Sequence, residues 1–323
     1  MSVLVYTENW DGRFKKLSNE LVSYGSKLAE MLNTSTTVLS IGKVDEAELK
    51  SLGKYGADKI ITVTDEKLAT LDNRAYTAVI AQVVEKEKSG IVLLSNNNTG
   101  KAIAPRLSVK LKAGIASGIT AVPEKTSPFT AAKKVFSGKA FAKFVIKTDI
   151  KILTLAQNSY EIVEKTGQAA IESFSPSVSN DLIRTKVINV EKQTGKVLLT
   201  DAEIVVSGGR GMKSPDNWGK IEELADLLGG ATACSRPVSD EGWRPHEEHT
   251  GQTGKIIAPN LYIAFGISGA IQHLAGVSSS KFIVAVNTDK DAPIFEAADY
   301  GIVGDALQVL PKFVDAVKEL KSL

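Results

Sequence analysis

Two arginines in the second half of the chain each follow the end of a predicted strand. Arg210 lies in the glycine-rich loop 207–211, and Arg236 follows Ser235 directly after the predicted short strand 231–234. A guanidinium stays protonated in proteins, so it can stabilise a negative charge but cannot deliver a proton. These two positions indicate a site for an anionic ligand.

A third candidate is the stretch 261–287, which predicts a strand, a tight turn, a helix and a second strand. Residues 261–265 and 282–286 are apolar runs typical of strands buried on both faces. Gly266 and Gly269 would let the turn bend sharply and let a ligand come close, and Ser268 would cap the helix. The start of such a helix directs free N–H groups at a phosphate. The spacing differs from the G-x-G-x-x-G fingerprint, so that dinucleotide motif is not predicted.

Six polar segments of the second half share one expected position, the carboxyl end of a parallel strand. Open α/β sheets bind ligands there, at the point where the strand order reverses. For each segment alone, a capped loop explains the residues equally well. Together they predict a site for a long anionic cofactor with a polar ring, a pyrophosphate and a ribose. The six are Arg210, Arg236, the turn 251–254, the helix start 268–273, Asn287 and Asp305.

Hydrolytic and metal chemistry have weaker support. No serine stands in a G-x-S-x-G pattern, and the single cysteine, Cys234, has no nearby histidine signature. The segment His246-Glu247-Glu248-His249 differs from the H-E-x-x-H zinc pattern, and no third ligand is evident. We interpret it as a solvated polar loop, and we predict neither a metal site nor a catalytic residue.

The first half of the chain alternates predicted strands and helices, the pattern of a parallel sheet with helices on both faces. The polar turn 95–100 is interpreted as a strand-to-helix loop rather than as a ligand site. Between Thr126 and Lys151 the pattern changes to short segments, with Ile152 assigned to the same group, that predict antiparallel strands. The predicted strands are 3–6, 37–40, 59–63 and 90–95, and the predicted helices are 17–32, 46–55 and 76–87.

The α/β pattern then restarts, which predicts a second domain. Its fold class is α/β: two doubly wound parallel-sheet domains, the first with extra antiparallel strands and the second Rossmann-like. Residues 1–190 form the predicted N-terminal domain, 197–323 the C-terminal ligand-binding domain, and the polar segment 191–196 the linker. In the second domain, further strands are predicted at 203–206, 231–234 and 299–303, and helices at 215–228, with Ser214 as N-cap, and at 310–323.

Composition excludes several classes of protein. A net charge of +2 is too balanced for nucleic acid or an anionic membrane to be a main partner. No apolar run approaches the ~18 residues of a membrane span. A single cysteine allows no internal disulfide and fits a reducing compartment. Because a predicted strand begins at Val3 without a targeting segment, we expect a cytoplasmic protein, or a mitochondrial-matrix form whose leader has been removed.

The stretch 261–287 resembles the signature of the electron-transfer flavoprotein alpha subunits. The matching residues run from Leu261-Tyr262 through Gly266-Ile267-Ser268-Gly269-Ala270-Ile271-Gln272-His273 to Asn287. The resemblance covers nearly the whole chain and is strongest after Ser207. It implies that the second domain holds FAD and that the first docks a beta subunit in a heterodimer. The cofactor-binding residues that it implies are Arg210, Ser235, Arg236, Thr250, Gly251, Gln252, Thr253, Ser268, Gly269, Ala270, Ile271, Gln272, His273, Asn287, Asp305 and Ala306.

The resemblance also implies individual roles. Arg236 would lie against the isoalloxazine ring, Gln252 and Thr253 near its N5, and His273 on its O2 side. The run 268–271 and Asn287 would hold the pyrophosphate and ribityl region, and Asp305 the adenosine end.

Two positions and one segment depart from the family pattern. Thr250 stands where the family has a small apolar residue, and Thr288 stands where it has lysine. The segment 243–249 is also unusual for the family. These departures concern the loops rather than the cofactor.

A fixed cation beside a flavin ring suits a one-electron carrier. The first electron adds negative charge near N1 and O2 unless a proton follows. At ~4 Å and an effective dielectric near 20, an arginine would stabilise that charge by about 4 kcal/mol, on the order of 100 mV. The resemblance implies an electron carrier rather than an enzyme. It would take electrons from dehydrogenases, such as the acyl-CoA dehydrogenases of fatty acid beta-oxidation, and pass them to a membrane quinone reductase.

Three alternatives remain at this point. The nearest is a subunit of an electron-bifurcating flavoprotein that also oxidises NADH. The second is a non-redox module that binds an adenine nucleotide. The third is a flavin enzyme with a substrate of its own.

Overall fold

The computed structural model describes residues 2–136, 140–190 and 197–322. The chain divides into two compact units, Met1–Val190 and Glu191–Leu323, and each is described here by itself. The predicted linker 191–196 lies outside the described residues, so the linker and the domain bounds drawn around it stay predictions.

A parallel sheet forms the centre of the first unit. Its strand order is β12-β5-β4-β1-β6-β11-β7, so the chain builds outwards from β1 in both directions. The other strands of this unit lie outside that sheet and form two small sheets, β10-β9-β8 and β2-β3. The strands of this unit are β1 (Ser2–Thr7), β2 (Asn9–Trp10), β3 (Arg13–Phe14), β4 (Ser35–Ile41), β5 (Lys59–Val63), β6 (Ile91–Ser95), β7 (Gly114–Ile119), β8 (Lys125–Thr126), β9 (Phe129–Val135), β10 (Ala140–Ile146), β11 (Lys151–Leu155) and β12 (Ala170–Ser173).

Helices cover both faces of this sheet. Val3 and Val5 of β1 pack against Leu21 in one core, whereas Leu4 and Tyr6 of the same strand belong to the core on the other face. Alternate side chains of a strand point to opposite faces, so the residues of β1 that pack into both cores, 3–6, must all be apolar or aromatic. The doubly wound class is thereby confirmed. The helices are α1 (Lys16–Met31), α2 (Glu46–Ser51), α3 (Asn73–Glu87) and α4 (Asn98–Leu111), with 3-10 turns at Leu52–Tyr55, Glu66–Leu68 and Asn180–Leu182.

The antiparallel insertion is confirmed for β8, β9 and β10, but its predicted end is wrong. Ile152 was expected among the antiparallel strands, yet it lies in β11, which pairs in parallel with β6 and β7. Ile152 and Leu153 are both fully buried. An apolar run buried on both faces is the mark of an interior parallel strand, so the hairpin is an insertion between β7 and β11.

The polar turn after β6 is satisfied within the protein. The Asn97 side chain accepts a hydrogen bond from the Gly100 amide at 3.0 Å and so caps α4. The Glu8 carboxylate accepts bonds from Ser95 Oγ and Asn97 Nδ2, each at 2.7 Å. These contacts fit a strand-to-helix loop better than a ligand site.

The second unit is built around a smaller parallel sheet, whose strand order is β14-β13-β15-β16-β17. The chain passes from β13 to β14 on one side and then returns to β15 on the other, so the strand order reverses between β13 and β15. Buried clusters lie on both faces. The strands are β13 (Ile204–Gly208), β14 (Ala231–Cys234), β15 (Leu261–Phe265), β16 (Phe282–Asn287) and β17 (Tyr300–Val303), and the helices are α5 (Gly219–Leu228), α6 (Arg236–Asp240), α7 (Ile271–Val277), α8 (Ile294–Ala297) and α9 (Ala306–Ser322).

The last helix begins one turn earlier than predicted. It was expected from Leu310, but the Asp305 carboxylate accepts the Leu307 amide at 2.9 Å and caps α9 from Ala306 onwards. No helix within the described ranges has the length and apolar character that a bilayer crossing needs.

Candidate cofactor-binding site

A cavity of about 580 Å³ opens at the carboxyl end of the second unit's sheet, where the strand order reverses. Ligand sites are expected at this place in an open α/β sheet, and small-molecule pockets commonly measure about 300–1,000 Å³. The structure brings the predicted residues together around it, except Ile271, whose side chain is 69% exposed and lies outside the lining. The predicted residues that line it are Arg210, Ser235, Arg236, Thr250, Gly251, Gln252, Thr253, Ser268, Gly269, Ala270, Gln272, His273, Asn287, Asp305 and Ala306.

The first wall is the loop after β13. The Gly209 amide donates to the Phe265 carbonyl at 2.9 Å, and the Gly211 amide donates to the Gly266 carbonyl at 3.0 Å. These bonds tie the loop that carries Arg210 to the turn after β15. Arg210 is exposed at the start of a 3-10 turn, Arg210–Met212.

The second wall is the segment after β14. The Ser235 amide donates to the Gly208 carbonyl at 3.1 Å, which continues the pairing of β13 and β14 by one residue. Arg236 then starts the short helix α6 and forms an ion pair with Asp240, Nε to Oδ2, at 3.2 Å. The Arg236 side chain remains 62% exposed, so its charge lies at the rim of the cavity.

The third wall is the turn of residues 250–254. Thr250 is fully buried, and both its amide and its hydroxyl donate to the Cys234 carbonyl, at 3.1 and 3.3 Å. The Gln252 amide donates to the Gln272 carbonyl at 2.7 Å, so this turn is also attached to α7. The Gln252 and Thr253 side chains are exposed towards the opening.

The turn between β15 and α7 differs in two details from the prediction. Ser268 does not cap the helix, because α7 begins at Ile271 and the N-cap position is Ala270, which makes no side-chain bond. Gly269 has a φ of +79°, and a Cβ there would lie 2.4 Å from the Ile294 amide nitrogen. The close approach of α8 therefore requires a glycine at this position, a contact that the sequence did not indicate.

His273 is buried below the cavity, with 7% of its surface exposed. Its Nε2 lies 2.8 Å from the hydroxyl of the fully buried Tyr262. Burial lowers the pKa of His273 to about 4, against a weaker opposing effect of the Thr250 backbone. The imidazole is therefore neutral at physiological pH.

His249 also lines the cavity, which the sequence interpretation missed. It was assigned to a solvated loop, but it is 3% exposed and pairs with Cys234 in a single parallel bridge. Burial lowers its pKa, and the nearby His246 acts in the same direction. His246 is exposed as predicted. Within the described part of the chain, no three His, Cys, Asp or Glu side chains are grouped to hold a metal ion.

The fourth wall comes from the ends of β16 and β17. Asn287 Nδ2 donates to the Ile267 carbonyl at 2.9 Å and so fixes the turn before α7. Asp305 pairs with Lys213 at 2.8 Å, and the hydrogen bond from Lys213 lowers the pKa of the Asp305 carboxyl. Lys213, a further cation of the lining, was not predicted. Its place three residues after Arg210, just past the glycine-rich loop 207–211, is the signal by which the sequence could have identified it.

The lining fits a long anionic cofactor such as a flavin dinucleotide. Three cations, Arg210, Lys213 and Arg236, surround the opening. The amides of Ser268, Gly269 and Ala270 donate to no described residue, so they remain available to a phosphate. Because α7 has only seven residues, free amides rather than a long helix dipole would bind that phosphate.

Two family models match the chain. The "Electron transfer flavoprotein domain" matches residues 3–179, and the "Electron transfer flavoprotein FAD-binding domain" matches residues 198–278. The second match includes most of the loops that form the cavity.

Three curated relatives align over nearly the whole chain. The electron transfer flavoprotein subunit alpha of Syntrophomonas wolfei is 38% identical over 318 residues, which cover 98% of each chain. The protein of the same name from Bacillus subtilis is 38% identical over 322 residues, again with 98% of each chain covered. The acryloyl-CoA reductase electron transfer subunit beta of Anaerotignum propionicum is 34% identical over 354 residues, which cover 99% of this chain and 96% of the relative.

Proposed function

This chain belongs to the electron transfer flavoprotein alpha-subunit family, and we propose on that basis that it holds FAD in the cavity of its second unit. The resemblance that the sequence indicated is thus confirmed, and the chain is an electron-transfer protein. One observation carries the proposal of FAD. The residues that the family pattern assigns to the cofactor converge, apart from Ile271, on one cavity at the strand-order reversal.

The residues of the lining would divide the binding between them. Arg210 and Lys213 supply positive charge on one side of the opening, and the free amides of 268–270 supply donors for the pyrophosphate. Gln252 and Thr253 offer an amide and a hydroxyl, and Arg236 a guanidinium, to the polar edge of a ring. Bound FAD would supply the one-electron chemistry, and no side chain of the lining is assigned a covalent step.

We further propose that the chain works as a heterodimer with a beta subunit. It would take electrons from dehydrogenases, with acyl-CoA dehydrogenases as the expected donors, and pass them to a quinone reductase. This part rests on the family resemblance alone.

The cofactor is tested by its release. The chain is co-expressed with a beta subunit, purified and denatured, and the released small molecules are separated and identified. We expect a yellow protein that releases FAD. A colourless protein, or one that releases only AMP, would contradict the proposal and favour the adenine-nucleotide module.

Pairing is tested by expressing this chain alone. We expect it to be poorly soluble or to lose its flavin, because the first unit would lack its partner. A stable, fully flavin-loaded monomer at nanomolar concentration would count against obligate pairing.

A second candidate function is electron bifurcation with oxidation of NADH. The observation that favours it is the Anaerotignum propionicum relative, which is named as an electron transfer subunit of a reductase. By analogy, this chain would then pass electrons to a reductase instead of receiving them from a dehydrogenase. Reduction of the purified heterodimer by NADH at catalytic rates would favour this function, and slow reduction would favour the dehydrogenase-to-quinone route.

A further inference from the structure

We propose that His249 couples the charge in the cavity to the pH of the solvent. Its imidazole takes up one proton when one electron enters the cavity, and it releases the proton when the electron leaves. The sequence interpretation placed His249 in a solvated loop, and no binding role is assigned to it. The inference rests on the proposed flavin site, because the electron is one that the flavin would carry.

The ring of His249 has a fixed place beside the cavity. It lines the cavity with 3% of its surface exposed. Its carbonyl accepts the Lys255 amide at 2.8 Å, and its backbone pairs with Cys234 in a parallel bridge. The turn also packs on the ring, since a Cβ on Gly254 would lie 2.8 Å from Nδ1 of His249 and a Cβ on Gly251 would lie 3.5 Å from Nε2. The imidazole therefore stays next to whatever the cavity binds.

This ring has an unused capacity for hydrogen bonding. Nδ1 of His249 is buried, and among the described residues it has no hydrogen-bond partner. Buried polar atoms are nearly always paired, so an unpaired one indicates a redox or catalytic role, or a bound water or ion. No hydrogen bond at Nδ1 stabilises either the neutral or the charged ring. The surrounding charges therefore decide between the two forms.

The nearest charges keep the ring neutral while no electron has been added. Burial lowers the pKa of His249, and His246 and Arg236 act in the same direction. Asp240, on the same helix as Arg236, opposes them. The ring centroids of His246 and His249 are 5.4 Å apart and His246 is exposed, so solvent supplies protons next to the buried ring. Because the pKa already responds to these single charges, one further charge in the cavity would move it.

The groups on the other neighbouring elements do not compete for this proton. On β14, burial raises the pKa of the Cys234 thiol to about 12, so the thiol stays neutral. On α7, burial lowers the pKa of His273 to about 4, so that ring also stays neutral. Glu248 forms an ion pair with Arg244 at 2.7 Å. The remaining charged side chains of the adjoining segments are Glu247 and Lys255. His249 is therefore the buried group beside the cavity whose charge can change near neutral pH.

The coupled step balances with one electron and one proton. The electron comes from the dehydrogenase of the proposed function, and one N–H bond forms on the imidazole with a proton from solvent. No bond breaks, and the net charge of the cavity is unchanged. A negative charge at ~6 Å in an effective dielectric near 20 would raise the pKa of a histidine by about 2, and screening at the opening reduces this to about 1.

The proton uptake is tested by nitrogen NMR. The full chain is labelled in histidine, assembled with unlabelled beta subunit and FAD, and titrated with acid before and after full reduction by dithionite. The signal of His249 is the one that His249→Gln removes. We expect its pKa to lie below the ordinary value in the oxidised protein and to rise by about 1 on reduction. An unchanged pKa in a yellow protein overturns this inference alone, whereas a protein that binds no flavin contradicts the proposed function and the inference with it.

The consequence is measured as the pH dependence of the potential for the first electron. A potential coupled to one proton falls by up to ~59 mV for each tenfold fall in proton concentration. We expect this dependence in the original protein and its loss in His249→Gln. His246→Gln is the comparison variant: it should keep the dependence but move it to higher pH, because His246 lowers the pKa of His249. The same dependence in His249→Gln as in the original protein would refute the coupling.

Discussion

The Gly211 amide donates to the Gly266 carbonyl at 3.0 Å, and the two glycines touch backbone to backbone. A Cβ on Gly211 would lie 2.5 Å from the Gly266 Cα, and a Cβ on Gly266 would lie 2.7 Å from the Gly211 Cα. Real Cβ atoms do not approach other atoms so closely. This contact joins the loop that carries Arg210 to the turn before α7. It therefore fixes the distance between two walls of the cavity.

Gly266→Ala should therefore disturb both walls together. Gly266 has a φ of +63°, so alanine adds backbone strain of about 1–2 kcal/mol besides the overlap with Gly211. Gly229 is the matched control, because its φ is +65° and nothing lies within 4 Å of its Cβ position. We expect Gly266→Ala to lower the free energy of unfolding more than Gly229→Ala, and only Gly266→Ala to lose flavin. Equal effects in denaturant titrations would show that the close approach is unimportant.

The buried histidines should make the second unit less stable in acid. The pKa of His273 is lowered to about 4 from its ordinary 6.5, and that of His249 is lowered too, so the unfolded chain binds more protons between these values. The stability due to the neutral histidines is complete above about pH 6.5 and is lost as the pH falls towards 4. For His273 the loss approaches about 3 kcal/mol at most.

This prediction is checked by thermal unfolding between about pH 7.5 and about pH 5. We expect the Tm of the second unit to fall with pH, and to fall less in His273→Gln, although that variant is less stable throughout. His246→Gln removes an exposed histidine that acts on His249 alone of the two, and it should change the pH dependence less than His273→Gln. A pH dependence that is unchanged in His273→Gln would show that this histidine is not the titrating group.

Glu20 should matter for the first unit. It is 2% exposed, and its carboxylate accepts the amides of Asn158, Ser159 and Tyr160 at 3.0, 2.8 and 3.0 Å. Glu20→Ala leaves three amides without an acceptor, and we expect it to destabilise the unit by about 2–4 kcal/mol. Glu20→Gln keeps one acceptor oxygen and should cost less. Similar losses for the two variants in urea titrations would show that the amides find water instead.

Glu20 also predicts a pH effect of the opposite sign to that of the histidines. Burial raises its pKa, and the three amides and Lys16 oppose this only in part. The contribution of Glu20 to stability is therefore greatest at low pH and is lost as the pH rises through its raised pKa. In Glu20→Gln this dependence should disappear, which unfolding titrations of the first unit at several pH values can measure.

The sequence predicted several largely buried parallel strands to the residue. The bounds of β5, β14 and β15 match the predicted strands at both ends, because short runs of mostly apolar residues between polar or glycine-rich segments mark such strands. The edge strand β12 was not predicted, because Ala170–Ser173 contains a glutamate and a serine and carries no such pattern. The start of α7 was misplaced because Ser268 was interpreted as the N-cap. The helix begins at Ile271, so the N-cap position is Ala270.

The site was predictable where a strand end determines a residue's place. Arg210, Arg236, Asn287 and Asp305 each follow a strand of one parallel sheet, so they must meet at one edge. His249 was not predictable in this way, since its burial depends on the segment 250–255 folding back over it. The same holds for the Tyr262–His273 bond, which joins a strand to a helix that only the three-dimensional structure brings together.

Arg236 is the residue by which the electronic part of the proposal can be tested. Its side chain is 62% exposed and paired with Asp240, so solvent and the carboxylate reduce its effect on a flavin. An unscreened guanidinium at ~4 Å would raise the flavin's potential for the first electron by on the order of 100 mV. Because this charge is screened, we expect Arg236 to contribute only some tens of millivolts to that potential. Removing it should lower the potential for the first electron, because added negative charge on the ring loses a neighbouring cation.

Arg236→Ala should still bind FAD, since the amides of the turn 268–270 and the cations Arg210 and Lys213 remain. Arg236→Lys should restore part of the potential, because a point charge remains while the planar guanidinium is lost. Lys220→Ala is the control: it removes the same charge from the same unit at an exposed position outside the cavity lining. Stepwise reduction with dithionite against reference dyes measures the potentials. If Arg236→Ala and Lys220→Ala have equal potentials, Arg236 does not lie at the flavin ring, and Arg210 becomes the residue to test.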